Sequence, residues 1–191
     1  ETGEARKQIE DMEEYRHSLA RRLDPTQSFL QGIQSTVRRS QKRIVFAEGE
    51  EPQVVRAAWT FQQQGLGHAV LIGRQSQVER TMKQMGVPDG ALEIVNARLS
   101  DRNADYTDYL YERLRRRGFL KRDAQRLVNQ DRNVFGCCML AHGDADGMVT
   151  GVTRNYDVCL TDVRLSLDPL PGADVVGMSM ELNRGKTIFI A

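Results

Sequence analysis

A polar loop with a glycine and an arginine follows a short apolar segment late in the chain. Met148 and Val149 predict a short strand, and the Thr-Gly-Val-Thr-Arg-Asn segment at 150–155 leads directly into a predicted helix. Such a loop gathers backbone N–H groups and the positive end of a helix dipole at one point, which favours an anion. Arg154 adds donors that suit phosphate. The segment therefore predicts a site for a phosphorylated ligand; the alternative is a glycine that serves only the turn.

The elements that must position this loop alternate between strands and helices from Lys42 onward. The predicted strands are 44–47, 69–72, 92–95, 148–149, 175–180 and 187–190. The predicted helices are 52–64, 76–85, 103–117, 123–129, 134–141 and 156–167. This alternation predicts an α/β fold, with a mostly parallel sheet and helices on both faces. Ligands of such sheets bind outside the carboxyl ends of the strands, where 150–155 falls.

Local patterns also assign roles to single side chains. Pro52 is a favoured first-turn residue, and the three acidic residues just before it suit the positive end of a helix. The last predicted helix is amphipathic, with apolar residues at helical spacing: Tyr156, Leu160, Val163 and Leu167. Asp144 and Asp146 allow a carboxylate pair for metal or acid–base work, but we favour a role in shaping the turn before Met148.

The first 39 residues differ from the rest and predict a helical linker or docking arm, with residues 40–191 as the main domain. They are strongly charged, and their apolar residues recur at helical spacing on either side of Pro25: Met12, Tyr15 and Leu19, then Phe29, Leu30, Ile33 and Val37. Such a stripe packs into a core or contacts another domain or subunit. The final segment, 186–191, has the character of a buried strand, from which we expect a longer polypeptide.

The bulk composition excludes several classes of protein. The 191 residues are 40% hydrophobic and 28% charged with a net charge of +1, which is typical of a soluble globular protein and indicates neither nucleic acid nor a membrane as partner. No apolar run approaches the roughly 20 residues of a membrane span. Three cysteines, two of them adjacent, form neither a disulfide framework nor a zinc spacing, and they predict a cytoplasmic location.

Several segments together resemble a known family. They are Lys-Arg-Ile-Val-Phe-Ala-Glu-Gly-Glu at 42–50, the region 135–151 with its Gly-Asp-Ala-Asp-Gly-Met-Val-Thr-Gly end, and 185–190. The chain resembles the phosphotransacetylase-type domain. Leu-Asp-Pro-Thr at 23–26 and the segment 149–156 bring it closer to the version fused to the C-terminus of bacterial NADP-dependent malic enzymes. The resemblance runs from about residue 23 to 191 and includes only about the first half of the family domain.

The resemblance implies an isocitrate/isopropylmalate dehydrogenase-like architecture of two parts with a cleft between them. Active members transfer acetyl between coenzyme A and phosphate, largely by positioning and charge stabilisation with arginine and serine side chains. This chain departs from them at three points. It ends before the family's Asn-Asp-Leu-Ser-Arg-Gly motif, and Thr161 and Leu114 stand where active members carry arginine. A hydroxyl does not replace a guanidinium at a phosphate site, so we expect little or no acetyl transfer.

The resemblance therefore implies a regulatory and assembly domain with no catalytic residues of its own and no cofactor. Its expected effector is acetyl-CoA or a related phosphorylated metabolite, and its expected partners are a malic enzyme catalytic domain and further copies of itself. Malate decarboxylation, with NADP and Mg²⁺ or Mn²⁺, would reside in residues absent from this chain. The alternatives are a catalytic phosphate acetyltransferase completed by a missing half, and a ligand-free oligomerisation module.

The predicted ligand contacts lie mostly in the loop that follows Val149. They are Thr150, Gly151, Thr153, Arg154 and Asn155, with Arg115 as a further choice. Arg115 belongs to a basic segment, 110–126, in which seven basic residues outnumber two acidic ones. That segment is either a solvated helix end, where basic residues complement the dipole, or a contact for coenzyme A phosphates or an acidic partner.

Overall fold

The computed structural model describes residues 11–13, 15, 16, 19, 25–183 and 186–191. Its helices are α1 (Pro25–Arg39), α2 (Pro52–Gln63), α3 (Gln75–Gln84), α4 (Asn103–Leu114), α5 (Lys121–Gln130), α6 (Arg132–Ala141) and α7 (Tyr156–Ser166). Its strands are β1 (Lys42–Phe46), β2 (Gly67–Ile72), β3 (Glu93–Val95), β4 (Gly147–Val149), β5 (Ser179–Asn183) and β6 (Lys186–Ile190). A 3₁₀ turn, Arg115–Arg117, follows α4.

Four strands form one parallel sheet in the order β3-β2-β1-β4. Successive side chains of a strand point to opposite faces, and the central strands are apolar on both. Val45, Val70 and Ile72 pack on one face with α4, α5 and α6. Phe46, Ala69 and Leu71 pack on the other with α2 and α3. The predicted α/β fold, with a parallel sheet covered on both faces, is confirmed.

Local signals fix several helix boundaries near the carboxyl edge of this sheet. Pro52 occupies the first turn of α2, and Gly65, with a φ of 67°, lies just beyond its end. The Asp131 carboxylate accepts from the backbone amides of residues 133 and 134 and caps α6. Asn155 caps α7 in the same way through the amide of Val158, at 3.1 Å. These caps satisfy amides that a helix leaves without partners.

The last two strands differ from the prediction. β5 and β6 pair antiparallel in a two-stranded sheet of their own, because two residues between strands are far too few for a parallel crossover. Residues 175–178 lie outside β5, and β6 is exposed along its length rather than buried. An apolar sequence shows that a strand can be buried, but it does not supply the surface that buries it.

The inner face of α7 also differs from the apolar stripe read from the sequence. Tyr156 is 71% exposed, whereas Cys159 and Ser166 are buried. Asp162, at 14% side-chain exposure, shares this inner face because it lies three residues after Cys159 and four before Ser166. The helix turns its smaller and polar residues inward because the facing part of α6 offers Asn133, which binds Asp162 at 2.9 Å.

The described residues divide into two compact units. One comprises Val37–Gly172 with the parallel sheet, and the other comprises the described residues up to Thr36 and those from Ala173, including the β5–β6 hairpin. The predicted division into 1–39 and 40–191 stays a prediction. In α1, the side chains of Phe29 and Ile33 are 41% and 38% exposed. No helix in the described part of the chain is long and apolar enough to cross a membrane.

Candidate functional site

The loops that follow the four parallel strands meet at the carboxyl edge of the sheet. The segment after β1 lies between the segments after β2 and β4, because β1 is hydrogen-bonded to both strands. It carries two carboxylates that turn to opposite neighbours: Glu48 binds the segment after β4, and Glu50 binds Arg74 after β2. The predicted role of the acidic residues before Pro52 was only to complement the helix. At Glu48 and Glu50 the structure adds bonds to neighbouring loops.

Glu48 occupies the cluster of N–H groups that the sequence predicts for an anion. Its carboxylate accepts from the amides of Gly151 at 2.9 Å, Val152 at 2.7 Å and Thr153 at 2.7 Å. The Thr153 hydroxyl donates a further bond at 2.5 Å. Gly151 has a φ of 113°, which a residue with a side chain rarely adopts, so the glycine is needed to aim these amides. The loop is therefore an anion-binding loop whose anion, in this structure, is part of the chain.

The surroundings keep Glu48 ionised although its residue is only 4% exposed. Burial alone would raise the pKa of the Glu48 carboxyl, but the hydrogen bonds from the Thr153 hydroxyl and the three loop amides outweigh burial. The net result is a pKa below the usual value, because each donor stabilises the charged form. Glu48 thus remains a carboxylate at neutral pH.

Arg154 is held by two aspartates on the far side of the same loop. Its Nη1 lies 2.6 Å from Asp131 and 2.8 Å from Asp162, both of which are largely buried. Asn133 donates to Asp162, and its amide oxygen accepts from the Thr150 hydroxyl at 2.6 Å. These bonds link β4, α6 and α7 in one polar network, in which two negative charges face one guanidinium.

The structure brings five of the six predicted contacts together, and internal hydrogen bonds already engage each of the five. Thr150, Gly151, Thr153, Arg154 and Asn155 all lie between β4 and α7. Arg115 lies in the 3₁₀ turn after α4 and pairs with Glu112 at 3.0 Å; among the described residues it has no recorded bond to the loop. Ligand binding by these six residues stays a prediction. A ligand that uses the loop would have to replace the present bonds of Glu48 and Arg154.

Leu114 and Thr161, which the resemblance aligns with arginines, hold no charge. Leu114 is 1% exposed and packs in the core beneath the sheet. The Thr161 hydroxyl donates to the carbonyl of Asp157 one turn earlier in α7, at 2.8 Å. Neither side chain supplies the positive charge with which a guanidinium stabilises the transition state of acyl transfer.

An apolar cavity lies beside the loop, between β1, β4 and α2. Its volume is about 260 Å³, and it is lined mainly by Phe46, Val54, Ala57, Val149 and Val152. Glu48, Gln53 and Thr150 supply its polar lining. The site therefore combines a small apolar cavity with an anion-binding loop, an arrangement typical of ligands with an apolar arm and a charged group.

The other acidic candidates prove to be structural. Asp146 accepts from the Arg43 amide at 2.8 Å and from Lys42 at 3.1 Å, and so it ties the turn before β4 to β1. Asp144 accepts from the Tyr106 hydroxyl at 2.5 Å and from Arg102 at 3.2 Å. Their separate partners favour the turn-shaping interpretation. In the described ranges no group of three or more histidine, cysteine or acidic residues could hold a metal ion.

Comparison with known proteins identifies the family. The family model for phosphate acetyl/butaryl transferases matches residues 28–191. The chain belongs to this family. Its fold is shared by a phosphotransacetylase from Streptococcus pyogenes, with a TM-score of 0.71, 25% identity, and coverage of 80% of this chain and 45% of that one. The EutD phosphotransacetylase from Staphylococcus aureus gives a TM-score of 0.70 at 23% identity and shows the same fold, covering 78% and 45%.

Malic enzymes are among its sequence relatives. The chain is 53% identical to the NADP-dependent malic enzyme of Rhizobium meliloti (strain 1021), over 100% of this chain and 25% of the relative. It is 32% identical to the NADP-dependent malic enzyme of Escherichia coli (strain K12), over 82% and 21%. The phosphate acetyltransferase of the same organism is 29% identical, over 82% and 22%. The chain thus spans about a quarter of the length of these relatives, and the resemblance predicted from its motifs is confirmed.

Proposed function

We propose that this chain is the phosphotransacetylase-like part of an NADP-dependent malic enzyme and that it binds acetyl-CoA as an effector. The observation that carries the proposal is the 53% identity along the whole chain to one such enzyme. Oxidative decarboxylation of malate, with NADP and Mg²⁺ or Mn²⁺, then belongs to a part of the polypeptide outside this chain. The absence of charge at Leu114 and Thr161 supports a binding role rather than acetyl transfer.

The geometry beside the loop supports acetyl-CoA as the ligand. The acetyl thioester at the end of the molecule is weakly polar and suits the cavity lined by Phe46, Val54 and Val149. The phosphates of coenzyme A suit the amides of 151–153, which bind the Glu48 carboxylate in this structure. A ligand phosphate that takes these amides must displace Glu48. Such an exchange gives two states with different affinity for the ligand, which regulation by an effector requires.

The experiment compares acetyl-CoA binding by variants of the complete polypeptide, using titration calorimetry. Ala57→Leu places a larger side chain in the cavity from an exposed position on α2, and leucine is nearly as good a helix former as alanine. Gln63→Leu makes an equally large apolar residue at an exposed position of α2 that does not line the cavity. We expect the first variant to weaken binding at least about tenfold, or about 1.4 kcal/mol, and the second to leave it unchanged.

Two outcomes of this titration would contradict the proposal. Wild-type polypeptide that shows no saturable heat with acetyl-CoA would remove the effector. Equal affinity of both leucine variants would place the ligand elsewhere. Malate-dependent NADP reduction is then followed at fixed malate, with and without acetyl-CoA, because an effector must change this rate whereas an inert ligand does not.

A second candidate function is phosphate acetyltransferase activity, which membership of the family favours. Formation of acetyl phosphate from acetyl-CoA and phosphate, at a rate proportional to enzyme, would establish it.

Assembly is the third function that we propose for this region. The β5–β6 hairpin exposes Ile188, Phe189 and Ile190 to more than 50% each, which suits a contact with another copy. A cytoplasmic location fits the three free cysteines of the described chain.

A further inference from the structure

A second cavity opens at the carboxyl edge of the sheet, at the end away from β4. Its volume is about 240 Å³, below the roughly 300–1,000 Å³ of sites for drug-sized ligands. Three loops and the start of a helix supply its walls. The loops contribute Glu50 after β1, Gly73 and Arg74 after β2, and Asn96, Ala97 and Arg98 after β3. The junction of α5 and α6 contributes Asn129, Gln130 and Arg132. The carboxyl ends of parallel strands are where such folds bind ligands.

The charged groups of this cavity leave two positive charges. They are three guanidiniums and one carboxylate, Glu50. Arg74 binds Glu50 through two parallel bonds of 3.0 Å, and its backbone amide donates another at 2.9 Å. Glu50 is therefore engaged mainly by Arg74, and the charge of Arg132 also lowers the pKa of Glu50. Arg98 and Arg132 form no ion pair with any described residue.

The guanidinium of Arg132 carries the second observation. Its Nη1 is buried and has no hydrogen-bond partner among the described residues. A buried N–H group without an acceptor is unfavourable, and a charged one more so, so a group that supplies an acceptor stabilises the site. An anion satisfies all of these features together.

We propose that this cavity binds a phosphate group, either as inorganic phosphate or as the end of a small phosphomonoester. A phosphate dianion matches the two positive charges, and its three or four oxygens accept from guanidinium groups on separate walls. The site is distinct from the loop at 150–155, because β2 and β3 lie on the other side of β1 from β4. The function proposed above does not require it, and its test needs no acetyl-CoA.

The test is a titration of the complete polypeptide with inorganic phosphate, at ionic strength held constant with chloride, read by calorimetry and by the midpoint of thermal unfolding. Arg98→Gln and Arg132→Gln remove one guanidinium each from the cavity. Arg56→Gln removes one from an exposed position of α2 outside it. We expect saturable binding at one site per chain, weakened at least about tenfold by each cavity variant and unchanged in the control.

Unfolding in chloride alone separates this site from a merely structural role for Arg132. Because its Nη1 lacks a partner, Arg132→Gln is expected to unfold at the same or a higher temperature than the wild type without phosphate, and to lose the increase that phosphate gives the wild type. A second titration with ribose 5-phosphate identifies the source of the phosphate, since the tighter ligand is the nearer to the natural one. Absence of saturable binding by either compound, or wild-type affinity in both cavity variants, would overturn the proposal.

Discussion

Replacing Glu48 by glutamine tests whether the buried carboxylate organises the loop at 151–153. The carboxylate accepts four hydrogen bonds, three from backbone amides and one from the Thr153 hydroxyl. A glutamine amide has nearly the same size but only one oxygen, which can accept two of these bonds. Its NH₂ group then faces the two remaining donors. Each donor that loses its acceptor costs about 1–3 kcal/mol.

Two such donors predict a loss of about 2–4 kcal/mol in the free energy of unfolding. The loss lies in the lower part of the range for two donors because the loop is exposed and its amides can bind water instead. For a chain of this size the loss lowers the midpoint of thermal unfolding by about 4–16 °C. Circular dichroism during heating and urea titration at pH 7 measures it. The matched control is Glu51→Gln, since Glu51 precedes α2 without a side-chain capping bond. We expect the control to change stability by less than about 0.5 kcal/mol.

The pH dependence gives the same test a second readout. The pKa of Glu48 is lower in the folded chain than the ordinary value of 4.5, because burial, which raises it, is outweighed by the bonds from Thr153 and the loop amides. A lowered carboxyl pKa contributes stability above pH 4.5, and this contribution disappears as the pH falls through the folded pKa. The difference between wild type and Glu48→Gln should therefore be constant from pH 6 to 8 and shrink below pH 4.5. A variant as stable as the wild type at pH 7 would refute the reasoning.

Three further perturbations follow from the packing and charges of the described residues. Arg154→Gln leaves Asp131 and Asp162 largely buried without their cation, so unfolding in urea should show a loss of about 2–4 kcal/mol, less than for a fully buried pair because Arg154 is 35% exposed. Arg164→Gln, on the exposed side of α7, should change little. Gly67→Ala would place a Cβ 2.3 Å from the backbone oxygen of Lys42 in the β1–β2 pairing, and we expect it to lower the free energy of unfolding by about 3 kcal/mol or more. Gly177→Ala, with open space around it, should be tolerated, and equal thermal unfolding of the two variants would contradict this prediction. Burial raises the pKa of the Cys137 and Cys138 thiols to about 12, so neither should react with iodoacetamide at pH 8 until urea unfolds the chain. Mass spectrometry that finds either cysteine labelled in the native protein would contradict this prediction.

The alternation of strands and helices could be predicted because it depends on local properties. Runs of β-branched and apolar residues at 44–47 and 69–72, separated by an amphipathic segment that starts at Pro52, admit few other assignments. Helix ends were predictable for the same reason, since Gly65 and Gly118 adopt positive φ angles that other residues avoid. The position of the polar loop after β4 then followed from the geometry of parallel sheets.

The inner face of α7 and the pairing of the last hairpin could not be read in this way. Periodicity selects the apolar stripe with Tyr156, but which stripe is buried depends on what α6 presents to the helix. Asn133 and the Arg154 network give Asp162 partners, so a polar face is buried and Tyr156 remains 71% exposed. The sequence predicts the first of the last two strands at 175–180, whereas β5 is Ser179–Asn183, and only these observed bounds leave the two-residue connection that requires antiparallel pairing.

The sequence by itself determined the elements, the parallel sheet and the family to which the chain belongs, because these depend on local propensity and on motifs within short segments. Only the tertiary structure decided what fills the anion-binding loop. Glu48 and Gly151 are 103 residues apart, and they meet because β1 and β4 are neighbours in the sheet. The same holds for Arg74, Arg98 and Arg132, which two loops and the start of α6 bring to one cavity. Whether a charged side chain has a partner within the chain depends on which strands are neighbours in the sheet. The order of the strands in turn depends on the packing of the whole sheet.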